Sequence, residues 1–259
     1  MDLGLKGRKA IVCASSRGLG KACAMSLARE GADVVINGRN AEVLDLAAHE
    51  IAAVAKGSVT PIAADINTPE GRERLLAACP AADILVNNND GPPPGAFQQW
   101  DESHWQAALN ANLLAPVFMI KALIEGMKER RFGRIVNITS AMVKAPRSAM
   151  GLSTTARSGL TAISKALSVD AAPFNVTINN MLPERFDTDR QQQMAKLAMQ
   201  FKKITYEEAR AEIAESIAAK RMGQPFEFGD ACAFLCSAQA GFISGQNLQL
   251  DGGSYPGLI

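Results

Sequence analysis

The chain has 259 residues, 47% apolar and 20% charged, with 27 basic and 26 acidic side chains and a formal net charge of +1. That balance suits a water-soluble globular protein of one domain and excludes a nucleic-acid binder, whose affinity would rest on a lysine- and arginine-rich face. The N-terminal MDLGLKGRKA has no apolar signal core and no stretch approaches the roughly 18 uncharged residues that span a bilayer, so a cytoplasmic protein without membrane contact is expected.

In chain order, short β-branched runs alternate with longer amphipathic ones. KAIVCA from Lys9 reads as a strand, Leu19 to Arg29 as a helix, DVVIN as a strand and Glu42 to Val54 as a helix. SVTPIAAD, a helix over Pro69 to Ala78, and the strand DILVNN follow, then a long helical region from Glu102 to Arg130 and the strand RIVNITS. A helix over about Leu152 to Ala171, the strand VTINNML, a polar helical excursion from about Asp189 to Ala219, a helix over Phe228 to Ser237 and the strand NLQL complete the chain.

Seven strands with helices between most of them, apolar on both faces in runs such as ILVN and IVNI, predict a doubly wound, Rossmann-type parallel sheet covered by helices on both sides. Its ligand should lie outside the carboxyl ends of the strands. The whole of 1–259 reads as one domain, with the polar segment from Thr188 to Arg221 as a mobile substrate lid or a plain solvated helix pair.

Five cysteines without CxxC spacing read as reduced small hydrophobes. Two distant histidines, His49 and His104, provide too little material for a histidine-rich metal site, and no metal is expected. The two tyrosines, Tyr206 and Tyr255, both fall in the last quarter of the chain.

The turn Cys-Ala-Ser-Ser-Arg-Gly-Leu-Gly at 13–20 joins the first strand to the first helix. Small residues there let a pyrophosphate approach backbone N–H groups at a helix N-terminus, where the dipole favours an anion; a tight strand-to-helix turn is the plainer reading. At the end of the second strand, where the adenosine ribose of a dinucleotide would arrive, the chain carries Arg39, with Arg17 nearby in the turn. An acidic residue would accept the ribose 2′-hydroxyl, whereas these arginines favour a 2′-phosphate, and thus NADP(H) over NAD(H).

The motifs together make the chain resemble a short-chain dehydrogenase/reductase of the 3-oxoacyl-carrier-protein reductase type. The likeness runs through the glycine turn, Asp65-Ile66, Leu85-Val86-Asn87-Asn88, Asn112, Gly133 to Ser140, Pro183, Thr188, Ile243 to Gln246 and Asp251-Gly252-Gly253. The resemblance implies that Ser16, Arg17 and Leu19 contact coenzyme phosphates and ribose, Asp65 and Ile66 the adenine, Asn87 the adenosine ribose and Thr188 the nicotinamide amide. It implies a small-molecule carbonyl or acyl substrate and a homodimer or homotetramer formed through helices Leu113–Arg130 and Leu152–Ala171.

The family's catalytic pattern is Asn, Ser, and a Tyr-x-x-x-Lys pair; Asn112 and Ser140 match the first two, but the pair is replaced by Ser153 and Arg157. A phenol with pKa about 10, lowered by a cation, can protonate a developing alkoxide, while a serine hydroxyl is a far weaker acid and arginine stays protonated. Ser153 and Arg157, one turn apart on one helix face, can still hold an oxyanion or a carboxylate. Asp90 and Glu184, at carboxyl ends of strands, are candidate replacement acids, Glu184 alternatively pairing with Arg185 or Arg157.

Ala14 stands for the first glycine of the turn, where a positive φ would be strained; Asn89-Asp90 stands for Ala-Gly and Glu184 for a glycine. These departures weigh against coenzyme binding. The loop Gly91-Pro92-Pro93-Pro94-Gly95 reads as a stiff pocket wall or a spacer. The expected activity is an NADP-dependent carbonyl reductase with an atypical active site. A lyase or hydrolase on the same scaffold, or an inactive binding or assembly subunit, are the alternatives.

Overall fold

The computed structural model describes residues 1–258. Strands β1 (Lys9–Val12), β2 (Asp33–Gly38), β3 (Val59–Ala63), β4 (Ile84–Asn87), β5 (Gly133–Ile138), β6 (Val176–Pro183) and β7 (Asn247–Leu250) form one parallel sheet in the order β3-β2-β1-β4-β5-β6-β7. The predicted Rossmann-type architecture is therefore the observed one. Between β1 and β4 the strand order reverses, opening a crevice at their carboxyl ends, the place where ligands bind in open α/β sheets.

Alternation of side chains along each strand sends even and odd positions into different cores. Ala10, Val12, Val34, Ile36, Ile84, Val86, Val136 and Ile138 face one side and pack on α1 (Gly18–Arg29) and α9 (Pro225–Cys236). Ile11, Val35, Leu85, Ile135 and Ile178 face the other and pack on α3 (Pro69–Ala78), α5 (Ala115–Glu129) and α6 (Gly151–Ala171). The two helices on the first face approach closely because Gly229 has no side chain: a Cβ there would lie 2.4 Å from the Ala22 carbonyl oxygen. Asp230 then joins Ser26 and Arg29 across that contact.

The boundaries follow local chemistry. Asn40 caps α2 (Ala41–Ala52) by accepting from the Val43 N–H, and Thr68 caps α3 by accepting from Gly71, with proline at the first helical turn. The polar excursion forms two helices, α7 (Asp189–Lys202) and α8 (Tyr206–Glu215), around a small core of Ala195, Ala209, Ile213, Ile217 and Met222. All five cysteines are free and buried, and burial pushes the Cys13 thiol up to about 12.

One expectation needs correction. The region from Glu102 to Glu129 is a continuous helix with an 18-residue window of mean hydropathy 1.6, so by length and composition one stretch does reach a bilayer-spanning size. Continuity comes from a π-helical turn, Asn110–Leu114, that joins α4 (Glu102–Leu109) to α5. Pro116 has no N–H to offer the Asn112 carbonyl four residues back, and the helix widens over this stretch. Its apolar residues Met119, Ile120, Leu123 and Met127 lie in the core beneath the sheet.

Candidate active site

The turn after β1 has the shape that its composition suggested. Gly18 adopts φ +53°, and a Cβ on Gly20 would meet the Ala14 carbonyl oxygen at 2.4 Å, so the chain passes itself too closely for any side chain there. Ala14 itself has φ +44°, the strained left-handed region that its replacement of a glycine anticipated. The strain is held by hydrogen bonds on both sides: Ala14 N–H donates to Asn37 Oδ1 at 3.3 Å, and Asn88 Nδ2 donates to the Ala14 carbonyl at 3.0 Å.

Ser15 turns inward, donating to the Val12 carbonyl at 2.7 Å, while Ser16 packs beside Gly38 at the end of β2. Arg17, the N-cap of α1, makes no capping hydrogen bond, and the first turn of that helix contains no acidic residue. The helix thus begins with N–H donors unpaid by any side chain of its own and with a free positive dipole end, a fit for a pyrophosphate. Thr188 closes the turn from above, its methyl 3.8 Å from a Cβ placed on Gly18, and Arg17 lies 3.9 Å from Asp189 beside it.

Two of the adenosine-side residues turn away from the crevice. Ile66 is buried in the core below α3, and Asn87 is buried with Nδ2 donating to Asn137 Oδ1 at 2.9 Å. Any contact these two make with a ligand therefore runs through their main chain. Asp65 is partly exposed and its carboxylate accepts from the Asn67 N–H at 3.0 Å.

Arg39 is engaged across the crevice: its Nη2 lies 2.6 Å from Asp90 Oδ2, with both side chains largely in solvent. Glu184 pairs with Arg147 at 3.4 Å and Arg185 at 3.7 Å. The alternative pairing with Arg157 is not formed, and both candidate acids, Asp90 and Glu184, are committed to arginines. Arg147, 37 residues from Glu184 in sequence, is a partner that reading along the chain had missed.

The candidate catalytic positions come together more tightly. Ser153 and Arg157 lie on the buried face of α6, 4% and 8% exposed. Arg157 donates from Nε to Ser153 Oγ (3.2 Å), from Nη1 to the Ile138 carbonyl at the end of β5 (2.6 Å) and from Nη2 to the Asn89 carbonyl after β4 (3.4 Å). No carboxylate touches it among the described residues, and burial pulls its guanidinium down to about 10, which leaves it charged at neutral pH. With Ser153 Oγ accepting from Arg157, its hydroxyl proton remains available to a ligand oxygen.

Ser140, two residues beyond Ile138, is partly exposed and accepts from the Met142 N–H at 3.2 Å. Asn112 sits in the π turn, its Nδ2 donating to the Asp90 carbonyl at 3.3 Å, while its Oδ1 is buried without a hydrogen bond among the described residues. Gly91 covers the Ser153–Arg157 pair: a Cβ on it would lie 3.6 Å from Arg157 Nη2 and 3.9 Å from Ser153 Oγ. The triple-proline loop is held by Arg190, which donates to the Pro92 carbonyl at 3.3 Å, and by Gly95 N–H to the Ala149 carbonyl at 3.0 Å.

Beneath these residues runs a feature that the sequence reading overlooked. Asn87, Asn137, Asn180 and Asn247 are register partners on β4, β5, β6 and β7, and each amide donates to the next side-chain oxygen at 2.9, 3.0 and 2.9 Å. Asn137 also donates to Ser164 of α6 at 2.9 Å. A chain of this kind, buried at Asn87, Asn137 and Asn180 and reaching the surface at Asn247, locks the strand ends that support the site. Its only sequence signal is an asparagine near the carboxyl end of three strands and at the start of the fourth.

Comparison with known proteins agrees with this layout. A family model described as Enoyl-(Acyl carrier protein) reductase matches residues 13–255. The chain is 32% identical to the NADPH-dependent reductase BacG of Bacillus subtilis, over 97% of this chain and 99% of that one. It is 29% identical to the 3-oxoacyl-[acyl-carrier-protein] reductase FabG of Vibrio cholerae, over 98% and 99% of the two chains. The crystal structure of L-sorbose reductase from Gluconobacter frateurii, complexed with NADPH and L-sorbose, superposes with a TM-score of 0.93 at 28% identity, covering both chains completely. Sheet order, glycine turn and near full-length similarity converge: the chain belongs to the short-chain dehydrogenase/reductase family.

Proposed function

We propose that the protein is an NADP(H)-dependent carbonyl reductase whose active site works without the family's tyrosine and lysine. The observation that carries this reading is the crevice between β1 and β4, where an uncapped helix N-terminus opens and Ser16 packs beside Gly38, the residue before Arg39, in a chain similar over nearly its full length to an NADPH-dependent reductase. Ser16, Arg17 and Leu19 would hold the phosphates, Arg39 the 2′-phosphate, Asp65 and the main chain of Ile66 the adenine, and the main chain of Asn87 the ribose. Thr188 would hold the nicotinamide amide. Bound there, NADPH supplies the hydride.

Ser140 and Ser153 donate hydrogen bonds to the substrate carbonyl oxygen, and the Arg157 charge stabilises the alkoxide that forms. Asn112 orients the loop after β4 through the Asp90 carbonyl. With Glu184 held by Arg147 and Arg185, and the Asp90 side chain 80% exposed to solvent on the Arg39 side of the crevice, solvent water is the source of the proton. The substrate is a small carbonyl or acyl compound, with α7 and α8 as its lid. The protein works in the cytoplasm as a homodimer or homotetramer through α5 and α6, where Phe118 and Val169 are exposed beside Leu114 of the π turn. Neither the non-redox reading nor the inactive-subunit reading gains support from the named relatives, which are reductases.

Calorimetric titration with NADPH and NADH tests this directly: NADPH should bind more tightly, and absence of NADPH binding at millimolar coenzyme would sink the reading. Replacing Ser153→Tyr together with Arg157→Lys should raise the rate of NADPH-dependent ketone reduction by at least tenfold, since it restores an acid of suitable pKa.

A further inference from the structure

We propose that Asp90 competes with the coenzyme's 2′-phosphate for Arg39, so that a coenzyme bearing this phosphate frees residues 90–94 from above Ser153 and Arg157. The proposal rests on the NADP(H) reading and adds a specificity residue and a coupling to it. Arg39 follows β2 and Asp90 follows β4, with β1 between them, so two strand spacings, about 10 Å, separate the elements that the ion pair bridges. The bridge crosses the crevice over the glycine turn. A carboxylate and a phosphate are rival ligands for one guanidinium, and the phosphate carries the greater charge.

The strengths of the contacts suit displacement. Arg39 and Asp90 are 62% and 80% exposed, and exposed ion pairs are individually weak. Yet this 2.6 Å contact is the shortest polar link that residues 90–92 make; the Asp90 carbonyl meets Asn112 at 3.3 Å and the Pro92 carbonyl meets Arg190 at 3.3 Å. The flanks are firmer. Asn89 donates to Asn67 Oδ1 at 2.8 Å and to the Ala111 carbonyl at 3.0 Å, and Gly95 is tied to Ala149. Between these ends three prolines stiffen the segment, so a pull released at Asp90 moves Gly91, and with it the cover over Ser153 and Arg157.

The molecule contains its own reporter. Its two tryptophans are Trp100 and Trp105, packed edge to face at 6.0 Å, and a Cβ on Gly95 would lie 2.8 Å from Trp100 Nε1. Adenosine 2′,5′-bisphosphate, which has no nicotinamide to quench indole emission, should shift tryptophan fluorescence of the unmodified protein, and adenosine 5′-monophosphate should not. Asp90→Asn should bind NADPH and the bisphosphate about two- to fivefold more tightly, as expected for removing an exposed rival charge, with a smaller change for NADH. In an Arg39→Gln background the same substitution should have no effect.

Unchanged or weaker NADPH binding by Asp90→Asn, in a protein whose unmodified form binds NADPH, overturns the competition and leaves the coenzyme reading standing. Tighter binding without a fluorescence shift in the unmodified protein overturns the release of the loop. Binding of NADPH by neither form overturns the coenzyme reading and this proposal together.

Discussion

Arg134 and Arg157 serve opposite ends of β5, and both are buried arginines with no carboxylate partner among the described residues. Arg134, 1% exposed, donates to the carbonyls of Ser237, Gly133 and Asn175 and to Asn175 Oδ1, and its guanidinium also lies over the Phe132 ring. Arg157 makes three hydrogen bonds, one of them at 3.4 Å, from five available N–H groups. The difference separates structure from site. At the amino-terminal end of β5 the arginine is nearly saturated and staples a helix end to the sheet; at the carboxyl end it retains donors and charge where the crevice opens. Burial lowers both guanidinium groups from their ordinary value, so each position carries a desolvation cost, with a different return.

Truncation should separate them most clearly. Arg134→Ala removes a donor from three backbone carbonyls, those of Ser237 and Gly133 in buried residues, and is expected to cost about 3–5 kcal/mol in urea unfolding, with NADPH affinity of the surviving folded fraction unchanged. Arg157→Ala should cost less stability, about 2–3 kcal/mol, and lower the reductase rate by at least tenfold; equal stability losses with no rate effect would erase the distinction. Arg157→Lys keeps the charge but cannot span Ser153 and two carbonyls with one ammonium, and about 1–2 kcal/mol should be lost.

Ala14→Gly tests the crevice without touching either arginine. It relieves the positive φ and should raise stability by about 1 kcal/mol, measured by the shift in urea midpoint. Because Arg157 stays protonated well below about 10, the rate of the reductive step should be flat from pH 6 to 9 as far as this residue is concerned. A limb near neutrality would assign an ionising group to the step and contradict water as the proton source. The smallest stability effect belongs to Asp90→Asn, no more than about 0.5 kcal/mol because the ion pair is exposed, and its signal is in coenzyme binding.

The strands and helices were legible because their signals are local. Alternating cores, capping residues and proline at helix starts place β1 to β7 and α1 to α9 within a few residues of where periodicity predicts them. Even the strain at Ala14 could be read, since a β-carbon at that turn meets the same steric limit in any context. The long helical region from Glu102 to Arg130 was legible too, but its apolar span was underrated: the chain absorbs Pro116 in a π turn that keeps one long helix.

The site was legible as a set of positions and not as a set of bonds. Asn112, Ser140, Ser153 and Arg157 could be named from motif order, and i to i+4 spacing anticipated that Arg157 reaches Ser153. That Arg157 also spans β5 and the loop after β4, that Asp90 takes Arg39, and that Glu184 takes Arg147 and not Arg157 depend on residues tens of positions apart. The ladder of four asparagines is the same case, since its members become neighbours only when the parallel strands align in register.

By itself the sequence determined the order of elements, the alternation of faces, the glycine turn and the absence of tyrosine and lysine at positions 153 and 157, because backbone sterics, side-chain periodicity and residue identity are properties of short segments. Tertiary structure alone decided which charges neutralise one another, which amides bury in the sheet and which donors remain for a ligand. Those outcomes depend on distance and desolvation between segments, and neither quantity exists until the sheet has formed.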